Sequence, residues 1–159
     1  MRKRIYIETT IPSFYYSRRE DIESKARTNW TREWWSEYAG ACDLISSAAT
    51  IAELSRGESD LVDKRTRLLE DVPLLPITDE IEEIANIYIS KMVMPRDPQG
   101  DALHLAVASF HHSDILLTWN CTHLANANKF NRIRLINFEI GLPFPILTTP
   151  LNLLSGGDE

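Results

Sequence analysis

Cysteine is scarce: Cys42 and Cys121 are the only two in 159 residues. Two thiols so far apart make neither a disulfide framework nor a zinc-ligand spacing. Both border strand-like segments, so buried free thiols in a reducing cytoplasm are the expectation. Long apolar runs are missing too; none approaches the roughly 20 residues that span a bilayer. The basic start Met1-Arg2-Lys3-Arg4 leads straight into Ile5-Tyr6-Ile7-Glu8 rather than into the apolar stretch of a signal peptide. No membrane partner is expected. There is no Gly-rich phosphate loop, which argues against a nucleoside-triphosphate enzyme. There is no nucleophile elbow, which argues against a Ser-His-Asp hydrolase. The segment Glu8-Thr9-Thr10 lacks the Asp-x-Asp that a phosphatase with an acidic nucleophile carries after its first strand. Positive charge is not in excess either: net charge is −6 and the pI about 5.2, unlike a general nucleic-acid-coating protein.

What remains is ordinary in bulk and specific in detail. A composition 43% hydrophobic and 25% charged supplies a real core for one soluble domain. Charge is unevenly placed. Residues 1–67 are nearly balanced and 68–159 are strongly acidic. A phosphate-bearing substrate could meet a basic rim around an acidic, metal-loaded centre.

Strands are expected at 4–7, 43–47, 115–118 and 146–148 from short β-branched apolar runs. The proline-bracketed Pro73-Leu74-Leu75-Pro76-Ile77 reads as an edge strand. Helices are expected after Thr9-Thr10-Ile11-Pro12, over about 20–39, around Ile51 to Leu54, over 59–71, from Thr78, over 98–111 and near 122–127. Ile81, Ile84, Ala85, Tyr88, Ile89 and Met92 follow the amphipathic template. Alternating strands and helices imply an α/β protein, a three-layer α/β/α sandwich with a mostly parallel central sheet. The domain is expected to end near 150, with 151–159 a flexible tail.

Four polar residues stand at the ends of apolar segments. Glu8 ends the first strand, Glu53 follows the second, Asp101 opens the run Ala102 to Ala108, and Asn120 follows Ile115 to Trp119. In an open α/β sheet the carboxyl ends of the strands face one crevice, where ligands bind. Three carboxylates meeting there repel one another unless protonated or neutralised by a cation. Oxygen-only ligands favour Mg²⁺ or Mn²⁺ over zinc.

The segments Ile5-Tyr6-Ile7-Glu8-Thr9-Thr10, Ala52-Glu53-Leu54, Gly100-Asp101-Ala102-Leu103-His104-Leu105-Ala106-Val107-Ala108 and Thr118-Trp119-Asn120 resemble, in order and placement, the PIN-domain nucleases. The likeness is to the toxin of VapBC-type toxin–antitoxin pairs in particular. It implies a PIN-like fold and Mg²⁺- or Mn²⁺-dependent cleavage of RNA phosphodiesters. It also implies a homodimer and a small protein antitoxin. Two positions depart from the family pattern: Glu8 stands where Asp is usual, and Asn120 where Asp is frequent.

On this reading Glu8 and Asp101 bind the ion directly, and Glu53 is a ligand or an outer-sphere base. Asn120 and Thr9 orient water or phosphate, with Thr118 and Asp97 as further support. Asp97, before Pro98, reads better as a helix N-cap. His104 reads first as a packed or partly exposed histidine, with a contact to the site as the alternative. Trp30, Trp34, Trp35 and Tyr38 read as core or dimer interface ahead of a base-stacking surface. Tyr15, Tyr16, Arg18 and Arg19 follow Glu8 closely and are placed to meet substrate or antitoxin. The competing function is a catalytically weak or inactive PIN-like module that binds RNA or protein.

Overall fold

A computed structural model describes residues 2–57, 59–96 and 100–155. Among the described residues there are five strands and eight α-helices, with one or two helices between successive strands. The strands are β1 (Arg4–Ile7), β2 (Asp43–Ser47), β3 (Leu74–Leu75), β4 (Ile115–Leu117) and β5 (Ile146–Thr148). The helices are α1 (Thr10–Tyr15), α2 (Ile22–Tyr38), α3 (Ala48–Leu54), α4 (Ser59–Leu68), α5 (Asp79–Ser90), α6 (Gly100–Phe110), α7 (Phe130–Glu139) and α8 (Pro150–Ser155). All strand pairs are parallel, in the order β3-β2-β1-β4-β5. The chain lays β2 and β3 to one side of β1 and β4 and β5 to the other. The order therefore reverses between β1 and β4, and a crevice opens at their carboxyl ends.

Side chains alternate across each strand and so divide the core in two. Tyr6 and Leu116 face α5, α6 and α7 together with Ile81, Tyr88 and Leu105. Ile5, Ile7, Ile115 and Leu117 face the opposite layer with Ile11, Trp34 and Trp119. Strands buried on both faces read as continuous apolar runs, which is why they stand out in the sequence. The three-layer sandwich expected of a PIN-like domain is thus present, and its sheet is wholly parallel.

Several expectations need correction. No helix was expected over 130–139, yet α7 lies there. Its Leu135 and Phe138 are 63% and 81% exposed, so apolar residues fall on both faces and blur the period. Lys129, at its start, makes no side-chain cap. The helix expected near 122–127 is a series of turns followed by a 3₁₀ turn at Ala127–Lys129. The chain stays helical beyond 150 because Leu151, Leu153 and Leu154 of α8 pack on the α2 layer. Asp97 and Pro98 lie outside the described residues. Cys42 is half-buried and Cys121 exposed, not buried as a pair of core thiols.

The aromatic stripe of α2 divides. Trp34 is core, and Trp30 stacks on Trp119 with ring centroids 6.1 Å apart. Helix α6, which carries Asp101 and His104, is held by Leu105, fully buried in the α5–α6 core. Leu105→Ala is expected to lower stability by about 2–5 kcal/mol, read as a fall in the urea midpoint with an unchanged slope.

Candidate active site

Strand β1 delivers Glu8 into the crevice and β4 delivers Thr118, Trp119 and Asn120 beside it. Glu8 is only 3% exposed. Its Oε1 accepts from the Thr10 backbone N–H at 3.0 Å, from the Thr10 hydroxyl, and from the Thr118 hydroxyl at 2.7 Å. Thr10 Oγ1 in turn accepts the Trp119 N–H at 2.8 Å, so one hydroxyl ties the end of β1 to the end of β4. Thr118 Oγ1 accepts the Asn120 N–H at 2.9 Å.

Asn120 spends its side chain on structure. Its Oδ1 accepts the His123 N–H at 3.0 Å, and this leaves Nδ2 to donate to Asp101 Oδ1 at 3.0 Å. One lone pair of the carbonyl expected to orient water is thus taken by the His123 N–H, and Asn120 is also the donor that holds Asp101. Asp101 lies in the first turn of α6, where the helix dipole favours its negative charge.

Glu53, on α3, reaches the same crevice from the β2 side. Its Oε1 accepts from Thr9 Oγ1 at 2.8 Å and from His104 Nε2. Thr9 therefore fastens a carboxylate and makes no cap for α1. Gly100 leaves Glu53 room: a Cβ there would lie 2.9 Å from Oε2.

Each of the three carboxylates thus has one oxygen held, and among the described residues no donor bonds to the other. His104, expected to be packed or partly exposed, is fully buried. It also stands among the acids. Its Nδ1 lies 2.7 Å from Tyr6 Oη, which lies 2.7 Å from Ser47 Oγ. His104, Tyr6, Thr10 and Ser47 are site residues that spacing alone did not identify. The one available signal was that Asp101 and His104 share a helix face at i, i+3.

Electrostatics follow from burial. Desolvation pushes the Glu8 carboxyl up, against the pull of His104 and the Thr10 and Thr118 hydrogen bonds. Desolvation also raises Asp101, against His104 and His123, with Glu53 adding to the rise. Burial acts the same way on Glu53, but the His104 hydrogen bond and charge and the Thr9 hydroxyl outweigh it and leave that carboxyl below its ordinary value. Burial would lower His104; Tyr6, Glu53 and Glu8 outweigh it and hold the imidazole well above the ordinary histidine range.

Oxygen donors of this kind fit a hard divalent ion in chemistry. As the side chains stand, no three acidic, histidine or cysteine groups among the described residues are gathered tightly enough to hold one. The donor set fits, therefore, and the finished cage is not formed.

A groove of about 710 Å³ opens from Thr10 and Asn120 and runs past Arg18, Arg19, Arg27 and Arg65. Arg27 lies over the Phe14 and Trp119 rings, 5.5 and 5.2 Å from their centroids, and pairs with Glu23 at 2.7 Å. Arg65 donates to the Ser13 and Tyr16 carbonyls, and Arg18 pairs with Asp60. A basic groove thus leads to the acidic crevice. None of the helices among the described residues is long and apolar enough to cross a membrane.

The pKa directions set a stability test on metal-free protein. Glu8 folds with its pKa above the ordinary 4.5, so its ionised form disfavours folding as pH rises through that value. Glu8→Gln is expected to melt higher than the parent at neutral pH, with the gain vanishing below pH 4.5. Glu53 has the opposite sign: its stabilisation is present above 4.5 and is lost as pH falls through its lower folded pKa. Glu53→Gln is expected to melt lower at neutral pH. Thermal scans across pH check both signs.

Neither a family model nor a curated protein matches the sequence. Solved structures do match. A chain of a toxin–antitoxin complex from Klebsiella pneumoniae superposes with a TM-score of 0.54 at 19% identity, over 79% of this chain and 93% of that one. A chain of VapBC-5, a member of the VapBC family of toxin–antitoxin systems from Mycobacterium tuberculosis, gives a TM-score of 0.45 at 16% identity, over 74% of this chain and 85% of that one. This chain therefore shares its fold with a chain of the Klebsiella pneumoniae toxin–antitoxin complex.

Proposed function

We propose that the chain is a Mg²⁺- or Mn²⁺-dependent endoribonuclease, the toxin of a toxin–antitoxin pair. The observation that carries this reading is the cluster of Glu8, Glu53 and Asp101. They come from three elements to one crevice, each with one oxygen anchored and one without a donor among the described residues, next to Thr10 and Asn120, which line the arginine groove. The fold shared with a chain of a toxin–antitoxin complex supports the toxin role. A small protein antitoxin, a homodimer and a cytoplasmic location belong to the same reading.

Glu8, Glu53 and Asp101 would hold the ion. When bound, such an ion lowers the pKa of coordinated water and offsets charge building on phosphate oxygens. The chain's own residues do the rest. Thr10 and Thr118 fix Glu8, Asn120 fixes Asp101, and Thr9 fixes Glu53. The arginines receive the phosphates of a single strand and lead it past Thr10 and Asn120. Trp119, 5% exposed and covered by Trp30 and Arg27, serves as a wall and not as a stacking platform for bases. The competing module that binds without cutting is favoured by the open spacing of the acids.

Asp101→Asn separates the two. Cleavage of RNA in Mg²⁺ or Mn²⁺ is expected to fall at least about a hundredfold, beyond the loss typical for residues that only support a metal ligand. Circular dichroism should show the variant folded. Undiminished cleavage by a folded Asp101→Asn protein sinks the nuclease reading. In the groove, Arg19→Ser is expected to weaken binding of single-stranded RNA and to reduce the log–log salt slope by about 0.7, measured by fluorescence anisotropy at several salt concentrations in the Asp101→Asn background.

A further inference from the structure

The imidazole of His104 is fully buried and both its nitrogens are engaged. A histidine recruited only to fill space would leave this volume to an apolar side chain, which has no polar atoms to desolvate. Instead a line of hydrogen bonds runs through it. The Ala49 N–H, at the start of α3, donates to Ser47 Oγ at 3.2 Å. Ser47 Oγ lies 2.7 Å from Tyr6 Oη, and Tyr6 Oη lies 2.7 Å from His104 Nδ1. The opposite ring nitrogen meets Glu53 Oε1, near the end of the same helix α3. With the amide at its head, the line runs Ser47 to Tyr6 to Nδ1 when the ring is neutral, and reverses, with Nδ1–H donating to Tyr6, when it is an imidazolium. Whether the ring is neutral with Tyr6 donating to it or is an imidazolium, Nε2 presents a hydrogen to the Glu53 carboxylate.

We propose that His104, braced by Tyr6 and Ser47, is the positioning residue of the acidic cluster: it pins Glu53 Oε1 and so presents Oε2 at the start of α6, beside Asp101. The placement of Oε2 is visible in its closeness to the Cβ position of Gly100. A tethered carboxylate offers one oxygen in one direction, and the entropy of ordering it is already lost before any ion arrives. This deepens the metal-site reading and rests on it only where ion binding is measured.

Two measurements test it. In metal-free protein, long-range ¹H–¹⁵N spectra of the imidazoles report each ring nitrogen. Glu53→Gln is expected to move the His104 Nε2 resonance and Tyr6→Phe the Nδ1 resonance. A ring that answers to neither change overturns the proposal. In a Mn²⁺ titration, His104→Ala is expected to bind about 10–100-fold more weakly, while His104→Gln, which keeps a donor for Glu53, recovers most of the loss. Tyr6→Phe, a smaller change, is expected to fall between wild type and His104→Ala and keeps the test alive where the alanine variant does not fold. Wild-type affinity in folded His104→Ala overturns the proposal. Absence of Mn²⁺ binding by the wild type defeats the metal reading instead, and the imidazole spectra then decide the positioning role alone.

Discussion

A carboxylate that leaves water must find donors or give up its charge. Glu8 finds three donors on one oxygen, and they come from residues that also close the end of the sheet. Thr10 and Thr118 are therefore two things at once. They solvate an anion, and they stitch β1 to β4 at the point where strand order reverses. Glu53 and Asp101 are treated more sparingly. Glu53 is tied by Thr9 and His104 and Asp101 by Asn120, and each keeps an oxygen with no donor among the described residues. Anions assembled in this way sit in tension: desolvation raises Glu8 and Asp101, and the buried His104, which pulls on all three carboxylates, works against the pile-up of negative charge.

Much of this arrangement was legible in the chain. Runs such as Ile5-Tyr6-Ile7 and Ile115-Leu116-Leu117 are apolar on both faces because helices cover both sides of a parallel sheet. A polar residue straight after such a run, or within a few residues of it, lies at the strand's carboxyl end, which places Glu8 and Asn120 on topology alone. The roles of Asn120 and His104 were not legible, because they depend on partners that arrive from elsewhere. His123 claims the Asn120 carbonyl, and Tyr6 and Glu53 claim the two sides of the His104 ring. Helix α7 escaped for a different reason. Its exposed Leu135 and Phe138 break the pattern by which a surface helix is known.

Net acidity hides a local basic surface. The chain carries −6 overall, yet four arginines line the groove beside the crevice. Three of them are also structural: Arg65 holds the end of α1, Arg18 reaches α4, and Arg27 covers two aromatic rings. Guanidinium groups anchored by carbonyls and rings keep their planes and their charge in fixed places. The groove ends at Thr10 and Asn120, which bond to Glu8 and Asp101 respectively.

Gly100 carries a quieter implication. The space where a β-carbon would stand is occupied by the approach of Glu53 Oε2, on a side chain already tied down by Thr9 and His104. One added methyl would displace the carboxylate without removing it. A descendant with alanine at 100 would keep every acid, the same charge and the same topology. A census of its acidic residues would score that rearranged cluster as intact. Inheritance of the cluster thus depends on an emptiness as much as on oxygen atoms.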